Sequence, residues 1–483
     1  MMNVKAISLD VGKALQVNAL FMLLSLGVSV FYGFDSGFTP LLISLLITSI
    51  AGFFPMIFVK DAQQETTQDG FITIVVSWLL SFIFGMLPYV LWGGEFTLMN
   101  AWFESVSGYT TTGSTILTDI EALPKSLLMW RSSTHYIGGL GVIIFLLMVL
   151  PDTSPFKLRL SHLELSSLAK EGYRYKSGKT VRVIVLTYVG LTTAEFLCLW
   201  AAGMGPFDAL NHSFSTIATG GFSTKNASIM HYDSNIINII IMIFMVLASM
   251  HFGVIYTTIA TRSFKPLKHS ITRYYILTIL IFSALATLSL ISQGGMGVSE
   301  AMMAGPFQVI SFISTTGFGQ SDNSTWPVMA NAILMIAAIH CGCSGSTTGG
   351  IKADRIYIAL KAIAGDFRKR ISPSAIFRTR IGEAYVPEET VASIFLYIVL
   401  YIIVLFISFF AVLLCGVEIA EAFSGTLASL GNVGPGLGSL GTLGSYAAQP
   451  EMTKFIYTLD MLLGRLEIFP ILVMMSLIFN RKA

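Results

Sequence analysis

The sequence predicts an all-α polytopic membrane protein, with four tandem M1–P–M2 pore-loop repeats around one pore and a two-helix N-terminal accessory hairpin. Three observations predict it. The 483 residues are 54% hydrophobic and only 12% charged, with a mean hydropathy of +0.73, more apolar surface than a soluble domain needs. Apolar runs of about 18 residues or more recur throughout, long enough to cross a bilayer. A short Gly/Thr-rich stretch also recurs, at 107–115, 214–222, 311–319 and 428–436, each copy following a half-length apolar piece and lying between two long ones.

The apolar runs are continuous rather than alternating, which argues against an outer-membrane barrel. No cleavable signal is expected, because the first apolar run is followed by a second and not by a small-residue cleavage site. Cys198, Cys341, Cys343 and Cys415 sit in apolar surroundings and read as packing residues, not as a disulfide framework. Cys341-Gly-Cys343 alone is too sparse for zinc. No H-E-x-x-H, no Walker A and no G-x-S-x-G on a strand-to-helix turn is found, so the chain is expected not to be an enzyme and to hold no organic cofactor.

Taken in order, residues 1–15 are a short polar lead. Apolar runs at about 16–33 and 37–58 flank Gly33-Phe-Asp-Ser-Gly37, a turn signal. With the polar segment that follows they make the accessory hairpin, 1–69. The first repeat, 70–182 with its polar loop, has helices at about 71–93 and 126–150 around a half-helix at 99–110. The second, 183–269, has 183–203, 207–218 and 236–261. The third, 270–387, has 272–292, 302–314 and 328–364, the last interrupted. The fourth, 388–483, has 389–416, 420–431 and 452–479. Half-helices of about 12 residues reach only about 18 Å, so they must enter the membrane and turn back. Their C-terminal ends then face the Gly/Thr loops, and the negative end of the helix dipole favours a cation there.

Lys and Arg set the orientation. The 151–182 stretch, the 262–273 loop, the 361–380 stretch and Arg481-Lys482 are basic, so these segments are expected in the cytoplasm. Lys125, Arg131, Lys225 and Lys454 are assigned to the outer boundary. Ten spanning helices put both termini inside. The 151–182 stretch could bind anionic lipid headgroups or dock a cytoplasmic partner.

A loop held at membrane depth must satisfy its backbone by lining a cavity, and glycine permits the dihedrals that keep side chains out of the way. Aligned on one glycine, the copies give Gly113, Gly220, Gly317 and Gly434. Four such loops around one axis make rings of carbonyl oxygens that can replace the water shell of a potassium ion. The plainer reading is four turns between helices. A generic secondary transporter would predict inverted repeats, whereas every half-helix here enters from the same side.

Four such repeats, a single glycine shared by the loops and Thr-Thr-Gly-Ser in the first copy resemble the Trk/Ktr/HKT potassium transporter superfamily. The two leading helices, Ser107-Gly-Tyr-Thr-Thr-Thr-Gly113 and the Gly-Arg-Leu-Glu-Ile-Phe-Pro run at 464–470 resemble its bacterial TrkH branch, over nearly the whole chain. The resemblance implies potassium uptake across the bacterial inner membrane, with K+ as the transported ion. It implies that K+ meets backbone carbonyls of Thr111, Thr112 and Gly113; of Ala218, Thr219 and Gly220; of Thr315, Thr316 and Gly317; and of Asn432, Val433 and Gly434. In the family a serine at the first glycine goes with sodium permeation, so Gly113 implies potassium. It also implies a homodimer with one pore per protomer and a cytoplasmic nucleotide-binding regulatory ring of the TrkA type. No nucleic-acid partner is expected. A gated channel and a symporter coupled to Na+ or H+ both remain open.

The second helix of repeat three is interrupted at His340–Gly350, which contains Gly342, Gly345, Ser346, Thr347, Thr348, Gly349 and Gly350. A straight helix through so many glycines is costly. An unwound segment below the loops would obstruct the pore, and the family uses such a segment as a gate; a packing kink is the alternative. Arg465, about a dozen residues into the last apolar helix, is a functional candidate by default. Gly138-Gly-Leu-Gly in repeat one matches Gly464-Arg-Leu-Glu in repeat four, so Arg465 stands where Gly139 does. It is expected to raise an electrostatic barrier below the loops and to contact the gate tract; a structural pair with a carboxylate is the alternative. Glu104, Asn211, His212 and Gln308 are expected to pin the half-helices. Glu195 could pair with an interior polar group. His135, His251 and His340 recur at one level of the second helices, which repeat position explains better than a metal site.

Overall fold

The structure is a computed structural model that describes residues 3–59, 67–149, 177–372, 378–382, 384–469 and 471–472. Most of the polar segment after the hairpin, most of the basic 151–182 stretch and Arg481-Lys482 lie outside the described residues.

Helices α1 (Val4–Phe31) and α2 (Phe38–Phe58) form the N-terminal hairpin. Asn3 caps α1, its side chain accepting from Ala6 N at 3.2 Å. Four times thereafter the chain makes a long helix, a short helix, a loop and a further helical stretch. The first set is α3 (Thr67–Gly85), continued by α4 (Leu87–Trp92), then α5 (Leu98–Tyr109) and α6 (Lys125–Val149). The second is α7 (Ser177–Ala201), α8 (Pro206–Ile217), α9 (Asn235–Ser249) and α10 (Phe252–Thr261). The third is α11 (Ser270–Ser292), α12 (Val298–Ile313), α13 (Val328–Ile339) and α14 (Ala353–Ile371). The fourth is α15 (Glu388–Leu414), α16 (Ile419–Gly431) and α17 (Glu451–Arg465). One two-residue strand pair, Arg380–Ile381 with Ala384–Tyr385, precedes α15. Local chemistry sets the starts. Pro206 occupies the first turn of α8, and Pro327, Pro387 and Pro450 stand at the N-caps of α13, α15 and α17, where a missing N–H costs nothing.

Polarity is inverted relative to a soluble fold. Ile50, Phe54, Phe58 and Ile407 are exposed, while Ser107, Thr111, Thr216, Thr315 and Asn432 are wholly buried. That is the pattern of a protein whose exterior faces lipid and whose polar backbone and side chains must be satisfied inside; the chain is a membrane protein.

Among the described residues six helices are long and apolar enough to cross a membrane, or seven if α9 and α10 count as one bent span. The sequence predicts ten; the four not among these six are the second helical stretches of the four repeats, and three of those are interrupted. Helices α9 and α10 meet at 105°, where an unbroken 236–261 helix is expected. Helices α13 and α14 are separated by a non-helical tract, 340–352. Helix α17 breaks after Arg465, where Glu467 takes φ +59°, and helical backbone resumes at 468–469 and 471–472; the rest of the expected helix, 473–479, lies outside the described residues.

Candidate functional site

The four short helices deliver their chains into loops with one backbone design. Helices α5, α8 and α12 end on Thr110, Ala218 and Ser314 in the right-handed region. The next residue in each loop is left-handed: Thr111 (φ +53°), Thr219 (+54°) and Thr315 (+54°), matched by Asn432 (+52°) after α16. Two residues later comes a glycine with φ between +80° and +98°: Gly113, Gly221, Gly317 and Gly434. One hydrogen bond closes every loop at 2.8–2.9 Å, from Thr112 N to Ser107 O, Gly220 N to Ser215 O, Thr316 N to Ser311 O and Val433 N to Ala428 O.

This corrects the register of the second loop. The sequence pairs Gly220 with Gly113, Gly317 and Gly434; the backbone pairs Gly221 with them. Ala218 is the helix cap, equivalent to Thr110, and the second trio is Thr219, Gly220 and Gly221. Adjacent glycines look alike in sequence, and only the positive φ tells which one turns the chain.

The glycines face carbonyls of the neighbouring loop. A Cβ on Gly113 would collide with Gly220 O, one on Gly221 with Thr316 O, one on Gly317 with Val433 O, and one on Gly434 with Thr112 O. Each loop thus presents the same carbonyl to the next, and the fourth returns to the first, closing a ring. A cavity of about 140 Å³ adjoins the ring, lined among others by Gly113, Gly221, Gly317 and Gly434 and by Arg131 and Lys225.

On the ring's other side lies the 340–352 tract. Thr347 Oγ1 donates to Ile217 O at 3.0 Å, at the end of α8, and Gly349 N donates to Thr315 Oγ1 at 3.2 Å. Gly345 (φ +77°) and Gly350 (φ +59°) turn the chain. Ser346 Oγ donates to Cys343 O at 2.6 Å and meets Thr348 Oγ1 at 2.8 Å, while Gly342 O accepts from Ala353 N at 2.9 Å. Lys352 Nζ reaches back to Thr348 O. Arg465, 5% exposed, donates to Thr347 O at 2.5 Å and to Gly138 O at 2.8 Å, tying the tract to α6. Gly138 and Gly464 hold equivalent places: a Cβ on either would strike a half-helix carbonyl, Tyr109 O or Leu430 O. Glu467 pairs with Arg355 at 2.6 Å, so the Arg465 guanidinium is held by carbonyls.

Arg131, assigned by sequence to the outer boundary, is instead buried and ion-paired with Glu104 at 2.8 Å. Its one signal is a cation one turn into an apolar helix. Other polar candidates have structural partners. His135 Nδ1 lies 3.3 Å from Ser215 Oγ, with its ring stacked on Phe222. His251 caps α10 through Gly253 N, and His340 Nε2 meets Tyr274 Oη at 2.7 Å. No group of three or more His, Cys, Asp or Glu residues suited to a metal ion occurs among the described residues. Glu195 is wholly buried in α7. The four cysteines are free.

The chain matches the family described as TrkH, cation transport protein, over residues 41–482. It belongs to the TrkH family. Among TrkH relatives, the Trk system potassium uptake protein TrkH of Escherichia coli K12 is 32% identical over 431 residues, covering 88% of each chain. The protein of the same name from Halomonas elongata is 32% identical over 488 residues, covering all of both chains. The crystal structure of the potassium transporter TrkH from Vibrio parahaemolyticus superposes with a TM-score of 0.89 at 28% identity, covering 99% of this chain and all of that one. These TrkH relatives are named as transport proteins, not as enzymes.

Proposed function

We propose that the chain is the potassium-conducting subunit of a Trk-type uptake system in the bacterial inner membrane, with both termini in the cytoplasm. The observation that carries the reading is the closed ring of loops, in which Thr112, Gly220, Thr316 and Val433 offer equivalent carbonyls. Four M1–P–M2 repeats around one pore are the architecture that generates such a ring. Backbone oxygens in that arrangement replace the hydration shell of K+, and the C-terminal ends of four half-helices add a favourable potential. The filter residues on this reading are 111–113, 219–221, 315–317 and 432–434. The potassium-uptake names of the relatives agree with it.

The tract 340–352 is the gate. On this reading it closes the path beneath the ring, held there by its bonds to Ile217 O, Thr315 Oγ1 and Arg465, and Arg465 both latches it to α6 and sets a positive barrier beneath the filter. The tract runs into α14, whose last turn carries Arg368, Lys369 and Arg370. A nucleotide-binding cytoplasmic ring of the TrkA type, acting on a homodimer, would pull there.

The test is ion flux into proteoliposomes containing the purified chain, driven by a potassium gradient without sodium or a proton gradient. Potassium and rubidium flux well above sodium is expected once the gate is released. Flux that requires added sodium or protons would replace the channel with a coupled symporter. Absence of flux even with the cytoplasmic ring added would overturn the filter.

A further inference from the structure

The four loops agree where they face one another and differ behind. Glu104, His212, Gln308 and Gly425 occupy one position, three residues before the residue whose carbonyl accepts the bond that closes each loop. Glu104 accepts from Thr115 Oγ1 at 3.0 Å and from Ile116 N at 3.1 Å. His212 donates from Nδ1 to Asp208 O at 2.8 Å, and its Nε2 meets Ser223 Oγ at 2.9 Å. Gln308 donates to Phe318 O at 3.0 Å. The fourth position is glycine, and Tyr446 Oη reaches in to donate to Gly434 O at 2.8 Å. Three loops are therefore braced by a side chain at that position, and the fourth by a tyrosine from outside together with Ser424 of α16, which accepts from Leu437 N at 2.9 Å.

Only the first brace is charged and only it crosses to a neighbour by a side chain of α6. Arg131 donates from Nε to Glu104 Oε1 at 2.8 Å, from Nη2 to Thr115 Oγ1 at 3.3 Å on the first loop, and from Nη1 to Ser223 O at 3.2 Å on the second. Its guanidinium lies 4.0 Å over the Phe222 ring. The fork is rigid and two of its acceptors, Thr115 and Ser223, sit on separate loops, each two residues beyond the turning glycine, Gly113 or Gly221. A buried ion pair adds little net stability over an apolar pair of the same size, but a planar fork fixes distances that an apolar contact does not.

We infer that Arg131 and Glu104 are positioning residues for ion selection: the guanidinium sets the spacing of the first and second loops, and Glu104 cancels a cation that would otherwise stand bare beside the ion path. Arg131 lines the cavity adjoining the ring, so its charge acts on any cation that enters there. The inference rests on reading the ring as the selective site.

The test uses the full-length protein in proteoliposomes, with potassium, rubidium and sodium flux measured singly and in competition, and thermal melting as the folding control. Arg131→Lys keeps the charge but cannot reach all three acceptors. The potassium-to-sodium flux ratio is expected to fall about tenfold with melting near wild type, because sub-ångström placement governs selection. Glu104→Gln leaves the cation uncompensated and is expected to raise the half-saturating potassium concentration. Adding Arg131→Met to it should restore that concentration but not the ratio. If Glu104→Gln does not accumulate folded, Arg131→Lys and the paired variant decide. A wild-type ratio in folded Arg131→Lys overturns the inference while leaving the ring as the selective site. Wild-type protein without selective flux even with the cytoplasmic ring added overturns both.

Discussion

The ring of loops and the 340–352 tract are both irregular backbone at membrane depth, yet they are held in opposite ways. Every loop of the ring is closed by its own half-helix, through the same amide-to-carbonyl bond repeated four times. The tract depends on other units: Cys343 N donates to Ser249 O at 2.8 Å, Gly349 N to Thr315 Oγ1, and Thr347 O takes Arg465. A segment satisfied from within stays fixed when neighbouring helices shift. A segment satisfied from several helices is released when one of them moves. The difference suits the first to selection and the second to gating.

The largest effects should come from breaking the ring itself. Gly221→Ala places a Cβ against Thr316 O at a left-handed position, a strain of about 1 kcal/mol joined to a backbone collision that no rotamer relieves. Potassium flux should drop about a hundredfold or more. Gly220→Ala is a sharper test of the corrected register, because its Cβ meets the His135 imidazole, a side chain. His135→Ala should rescue Gly220→Ala and leave Gly221→Ala dead. Rescue of both, measured as rubidium uptake, would place the turning glycine at 220 after all.

Removing the latch should act with the opposite sign. Arg465→Ala frees Thr347 O and Gly138 O from their shared donor and removes a buried charge from below the ring. Flux by the chain alone in proteoliposomes is expected to rise severalfold, on the order of 1 kcal/mol in the gate equilibrium, with the potassium-to-sodium ratio unchanged. Equal flux in wild type and variant would remove Arg465 from gating.

These two regions were unequally legible in the sequence. The long helices and the half-helices follow from length and hydropathy, and the loops from their repetition. Gly220-Gly221 defeats alignment because composition does not encode which glycine carries the positive φ. The bend at 249–252 is invisible because Ala248-Ser-Met-His-Phe-Gly253 reads as continuous apolar helix. Its broken ladder is satisfied by the tract instead: Ser249 O accepts from Cys343 N, and Phe252 N donates to Gly345 O at 3.1 Å. Arg131 sits where hydropathy places the membrane boundary, and its partner is on another element, so no local pattern announces the pair. The break at 466–467 is likewise a tertiary outcome, since apolar residues continue on both sides of it.

A smaller effect tests how the tract's far end is held. Arg355, at the start of α14, pairs with Glu467 at 2.6 Å and stacks on Tyr397 at 4.0 Å. The two side chains are 13% and 25% exposed, so the pair is partly screened and worth about 1 kcal/mol or less. Glu467→Gln should raise basal flux about threefold, less than Arg465→Ala because Tyr397 still anchors the guanidinium. A rise equal to that of Arg465→Ala would make the two contacts one latch.

The smallest effect on transport should come from the accessory hairpin, which touches neither region's backbone bonds. Asp35 fastens it: the carboxylate accepts from Ser29 Oγ at 2.6 Å and Gly37 N at 3.2 Å within the hairpin turn, and from Ser126 N at 3.0 Å and Ser126 Oγ at 2.7 Å at the start of α6. It therefore caps α6 from another element, as an N-cap carboxylate would from its own chain. Asp35→Ala leaves those donors without an acceptor and should cost about 2 kcal/mol, read as a melting temperature a few degrees lower in detergent. The same helix carries Arg131 and Gly138, so the variant also asks whether α6 must be held at its N-terminal end for the ring to select. An unchanged potassium-to-sodium ratio is expected, since Arg131 keeps its own three acceptors. A changed ratio would mean that ring geometry is set from the hairpin, and that the two regions are less separate than their hydrogen bonds imply.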